Sequence, residues 1–132
     1  SRQLAMNALA DYGRGEDAGQ KALAATGRHI FVLLQLGLLR ATVGDIEGAT
    51  AIRDEARSRS HREFVPPTSF ALIEAALGNR DAALEYCRQA VAMRDPQFVI
   101  FSLGWPVTEA LRAMPEHRAM LREIKLPGVM ND

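Results

Sequence analysis

The sequence predicts an all-α fold: a short alpha-solenoid of about three antiparallel helix pairs, closed by a degenerate helical C-terminal cap. Three observations predict it. GDIEGATAIRDEA (44–56) is echoed by GNRDAALEYCRQA (78–90), with Gly44 over Gly78, Ala49 over Ala83 and Ala56 over Ala90, each pair 34 residues apart, a period of helical repeats. Leu38 and Leu72, Leu39 and Ile73, Ala41 and Ala75, and Val43 and Leu77 continue the register upstream. Each of the two glycines precedes a good N-cap, Asp45 or Asn79, so each marks the end of one helix and the start of the next. Finally, Leu33, Leu36, Gly37, Arg40 and Ala41 follow the three-and-four spacing of one helical face.

The elements follow in order. LADYGRGEDAGQKALAATG (9–27) reproduces the Gly-to-Ala spacing through Gly13, Ala18, Ala22 and Ala25, and predicts a first helix pair turning at Gly13 after a short leading helix. The units are expected at about 1–29, 30–63 and 64–96, with the cap over 97–127. Pro66 and Pro67 suit the first turn of the helix that opens the third unit. PQFVIFSLGWP (96–106) starts a helix that Gly104 and Pro106 end. PVTEALRA (106–113) and PEHRAMLREI (115–124) predict two further short helices, each with Pro at its first position. Ala49, Ala56, Ala83 and Ala90 are small residues on one face of their helices, where they permit close helix contact.

The pattern resembles the tetratricopeptide repeat family. The resemblance places close-packing positions at Leu33, Leu36, Gly37, Gly44, Ala49 and Ala56, then at Phe70, Ala71, Gly78, Ala83 and Ala90, and implies a right-handed solenoid. The chain departs from the pattern where Leu33 and Arg40 stand at aromatic sites, where Arg53 or Cys87 stands late in the second helix, and where the terminal Pro falls one residue late, as Pro96. Residues 76–127 are similar to the C-terminal module of bacterial multidomain proteins that carry class III nucleotide cyclases, Ser/Thr kinases or winged-helix regulators. The marks are the LG-x-x-D-x-A turn, the RDP joint and the closing LR-x-x-P…LP. This resemblance, and a start without Met inside a helix, imply a fragment of a larger signalling protein.

Composition bounds the function classes. In 132 residues, 16 basic side chains balance 16 acidic ones and 48% are hydrophobic, as in one globular domain with a core. That balance gives no electrostatic footprint for nucleic acid or an anionic membrane, so neither is expected as a partner. The most apolar run, IFVLLQLGLL (30–39), is about half the length needed to cross a bilayer. One cysteine makes no intrachain disulfide. A cytoplasmic location is the expectation.

Residues able to do chemistry are expected to be structural. Cys87 stands at a packing position and reads as a small core hydrophobe. His29, His61 and His117 form no H-x-x-x-H or H-E-x-x-H pair and read as surface residues. Asp45, Glu47, Asp54, Glu55, Glu74, Asp81 and Glu85 are expected at helix starts and on exposed faces, without a catalytic dyad. Neither enzyme activity, nor a cofactor, nor a bound metal is expected. Trp105, with Phe98 and Phe101, is expected to cap the apolar end of the last repeat.

The resemblance implies a concave face built from the first helix of each unit. Its residues here are Phe31, Leu34, Leu38, Ala41 and Thr42, then Val65, Thr68, Leu72, Ala75 and Ala76. These are mostly aliphatic, where relatives that grip chaperone carboxylates use Lys, Arg and Asn. The expected role is protein–protein interaction or self-association as a homodimer. The alternative is a sensor domain whose groove encloses a small apolar ligand.

Overall fold

The computed structural model describes residues 2–100 and 109–124. Among them the regular elements are all helices: α1 (Arg2–Ala25), α2 (Ile30–Thr42), α3 (Ile46–Arg59), α4 (Pro67–Ala76), α5 (Arg80–Ala92), α6 (Pro96–Ile100), α7 (Glu109–Arg112) and α8 (Pro115–Ile124). They fall into two compact units divided between Phe64 and Val65.

The 34-residue echo is repeated in the backbone itself. At the end of α2, Gly44 has φ of +90°; its N–H donates to the Ala41 carbonyl at 3.1 Å, and the Asp45 N–H donates to the Arg40 carbonyl at 2.8 Å. At the end of α4, Gly78 has φ of +84°; its N–H donates to Ala75 at 3.0 Å, and that of Asn79 donates to Glu74 at 2.8 Å. This pair of bonds is the Schellman ending, which needs a left-handed residue at the position Gly occupies. The capping differs between the copies. Asp45 accepts from the Gly48 N–H at 3.0 Å, as its type predicts, whereas Asn79 makes no side-chain cap. Its Nδ2 donates instead to Glu74 Oε1 at 3.0 Å, because Glu74 is buried and its carboxylate needs donors.

In the first unit α1 lies antiparallel to α2, and α2 packs on α3. The turn expected at Gly13 does not form: Arg2–Ala25 is one continuous 24-residue helix. Gly44 and Gly78 are followed by residues suited to start a helix, but Gly13 is followed by Arg14, which pairs with Asp11 one turn back along the same helix. The first predicted helix pair is therefore a single long helix. Its other glycines are where α2 sits close. A Cβ at Gly19 would lie 2.8 Å from Leu36 Cδ1, and one at Gly15 would lie 3.1 Å from Leu39 Cδ2. Leu23, Leu33, Leu36 and Ile52 form the core of this unit, with Val32 and Leu39 packed against it.

In the second unit α4 and α5 form a helix pair, α6 packs on both, α7 packs on α4, and α8 packs on α5. Phe70 on α4 stacks on Tyr86 of α5, with ring centroids 5.1 Å apart. Ala49, Ala56, Ala83 and Ala90 are all fully buried, as their spacing predicts. The joint at Asp95–Pro96 has a second use. Asp95 Oδ1 accepts from the Gln97 N–H of α6 at 3.0 Å, and Oδ2 accepts from the Thr68 N–H of α4 at 3.2 Å. α8 starts at Pro115, as the sequence predicts. The expected helix over 106–113 is present as α7 from Glu109. Of the aromatic trio, Phe98 is buried, while Phe101 and Trp105 lie outside the described residues.

Candidate functional site

The two sets of residues expected to line a binding face each share one face of their own helix. On α2, Phe31, Leu34, Leu38 and Ala41 are spaced by three, four and three, and Thr42 closes the helix. Phe31 is 37% exposed, and Leu34 and Ala41 are buried. Leu38 is half-buried, and Thr42 is exposed with its hydroxyl donating to the Leu38 carbonyl at 2.8 Å. The opposite side of α2 carries Leu33 and Leu36, which belong to the core.

On the second unit, Thr68, Leu72 and Ala75 are spaced by four and three along α4, with Val65 just before the helix and Ala76 as its last residue. Thr68, Leu72 and Ala75 are buried; Val65 and Ala76 are half-buried. α4 as a whole is buried at every position from Pro67 to Ala75, so its apolar face is covered. The α2 set is the one that offers exposed apolar surface.

Ion pairs stand near both ends of α2 in the first unit. Arg28 grips Glu55 of α3 with two bonds, Nε to Oε2 at 3.1 Å and Nη2 to Oε1 at 2.5 Å. Arg59 donates to Glu63 Oε2 at 2.7 Å, to Glu55 Oε2 at 3.4 Å and to the Arg28 carbonyl at 2.8 Å. Arg40 of α2 holds Glu16 of α1 at 2.6 Å. Each pairing holds its carboxyl below the usual carboxylate range: Arg40 for Glu16, Arg28 for Glu55 and Arg59 for Glu63. Arg40–Glu16 ties α2 to α1, and the Arg28 and Arg59 bonds tie α3 to the segments that precede α2 and follow α3, so the carboxylates are engaged in holding the unit together.

The side chains that gathered attention in the sequence fall into place. Cys87 is fully buried, and burial pushes its thiol up to about 12, which leaves negligible thiolate at neutral pH. His29 is exposed, and its Nδ1 accepts from the Phe31 N–H at 3.2 Å as the cap of α2. His61 is exposed. His117 departs from the surface expectation: it is fully buried, with its ring 5.1 Å from that of Phe98 and tilted by 54°. Burial first, then the nearby guanidinium groups of Arg112 and Arg118, push its imidazole down to about 4. Glu74 likewise departs from the exposed face expected of it.

Sequence reasoning missed His117 and Glu74 because polar types are mostly exposed. The signal for His117 was present in its spacing. It follows buried Met114 by three residues, on the inward stripe of its helix. The double cap made by Asp95 was half legible, since Asp before Pro is a helix-start pattern. Its reach to Thr68, 27 residues away in the chain, was not. Among the described residues no helix is long and apolar enough to cross a membrane, and no group of three or more His, Cys, Asp or Glu side chains is placed to hold a metal ion. Compared with protein-family models, with curated proteins and with solved structures, the chain matches none.

Proposed function

We propose that this chain is a non-catalytic helical-repeat module for protein–protein interaction or self-association, of the tetratricopeptide kind. In this reading it serves as the C-terminal accessory region of a bacterial signalling protein, such as one bearing a class III nucleotide cyclase. The observation that carries the reading is the reiterated joint. The same two Schellman bonds recur with a 34-residue offset at Gly44 and Gly78, each closing a helix whose apolar residues share one face. Helical repeats commonly use a helix face of the unit for docking. On α2 that surface includes exposed Phe31 and half-buried Leu38.

Leu34 is buried, so a charge there would disturb folding, and the test belongs at Phe31 and Leu38. Wild type is expected to self-associate with rising concentration in light scattering. Phe31→Glu and Leu38→Glu are expected to remain monomeric with unchanged helical circular dichroism. Folded variants that associate like wild type would rule out this face as the interface.

A further inference from the structure

The last two described helices of the second unit form a hairpin, α7 on α4 and α8 on α5. It is attached in two ways. Leu111, Met114 and His117 are buried, with His117 against Phe98 of α6. On the outside, Arg80 of α5 pairs with Glu116 of α8, both about half exposed. α4, buried from Pro67 to Ala75, is packed by α5 and α6 as well as by α7.

These attachments respond differently to acid. Leu111, Met114 and Phe98 do not titrate. Glu116 is held below the usual carboxylate range by its own backbone N–H, and then by Arg80, so mild acid leaves it ionised. The imidazole of His117 is the attachment that gains a proton in mild acid once it leaves its seat. The charged groups on its own helix and on the helices packed around it are Glu116, Arg118, Arg122 and Glu123 on α8, Glu109 and Arg112 on α7, Arg80, Asp81, Glu85 and Arg88 on α5, and Glu74 on α4. Of these, the two that act on the imidazole are both cations, Arg112 and Arg118.

We propose that the α7–α8 hairpin is an acid-releasable element of the second unit, seated by α7 on α4 and by α8 on α5 and latched by His117 against Phe98. A charged imidazole between Phe98 and two guanidinium groups is disfavoured, whereas a released His117 is solvated and takes up its proton freely. The closed-state pKa of about 4 lies below the ordinary 6.5, so the released state binds more protons between those values. The latch is therefore at full strength above about pH 6.5 and weakens as pH falls toward 4. From about pH 7.5 to about pH 5 the opening equilibrium rises roughly 30-fold.

Amide exchange on the whole chain at these two pH values, corrected for intrinsic exchange, reads the opening directly. The amides of Ala113, Met114 and Arg118, which donate within the hairpin, are expected to lose protection roughly 30-fold in wild type. Amides of α2 and α5 should hold theirs. His117→Phe, which keeps a ring against Phe98, is expected to abolish the pH dependence. Wild-type protection that does not change with pH overturns the proposal, whether or not the variant folds. So does a loss shared equally by α5, or a His117→Phe hairpin that opens with acid as wild type does. This test is independent of docking, which the association of Phe31→Glu and Leu38→Glu variants reads separately.

Discussion

The carboxylate of Asp95 accepts backbone N–H bonds from Thr68 at 3.2 Å and from Gln97 at 3.0 Å, so one side chain caps the first turns of α4 and α6. Both N–H groups lack an intrahelical partner by virtue of position, and the negative charge suits the positive end of each helix. An ordinary cap is worth about 1 kcal/mol, and two at one residue place Asp95→Ala at about 2 kcal/mol of destabilisation in denaturant unfolding. Asp95→Asn keeps one accepting oxygen and turns a donor toward the other helix, so it should fall only partway back to wild type. Equal stability of wild type and Asp95→Ala would show that the caps carry no weight. At the same scale, residue type alone misplaces Glu74 and His117, since a polar side chain enters a core only when its surroundings accommodate it. Cys87 is the opposite case: a packing position and a small side chain made its burial legible in advance.

At the scale of elements, the pairing of α1 with α2 rests on absent side chains. Gly19 allows Leu36 to approach so closely that a Cβ there would meet it at 2.8 Å, and Leu36 is itself buried, with little room to turn aside. Gly19→Leu is therefore expected to push α2 outward and cost about 1–3 kcal/mol, the usual range for overpacking. A Tm equal to wild type would show that the two helices are not so closely seated. The same helix shows where reading by spacing stops. Gly13, Ala18, Ala22 and Ala25 reproduce the Gly-to-Ala interval of the other two joints. An interval does not end a helix, however. The other two joints also carry a residue after the glycine that suits a helix start, Asp45 or Asn79, and Gly13 is followed by Arg14. Without that residue, helix propagation continues through the glycine at a cost of about 1 kcal/mol relative to Ala.

Across the whole molecule, what the sequence makes legible is what repeats. The helix ends at Thr42 and Ala76, the left-handed glycines at 44 and 78, and the helix starts at Ile46 and Arg80 all recur at one offset. Two copies in one register leave little freedom for another reading. Features that occur once are less legible. The long α1, the seat of His117 beside Phe98 and the bridge from Asp95 to Thr68 depend on tertiary partners that no local pattern announces. The division into two compact units follows the chain at Phe64–Val65, beside the tandem prolines that open α4.

The central claim is that Gly44 and Gly78 are equivalent joints and that Gly13 is not one. Thermal or denaturant unfolding of Gly13→Ala, Gly44→Ala and Gly78→Ala tests it most directly. A methyl at Gly44 or Gly78 meets no neighbour but forces Ala into a left-handed conformation, so each is expected to lose about 1 kcal/mol. Gly13 is helical, with open space where a Cβ would stand, so Gly13→Ala is expected to gain up to about 1 kcal/mol. Opposite signs are the prediction; a loss at Gly13 matching the losses at Gly44 and Gly78 would contradict it.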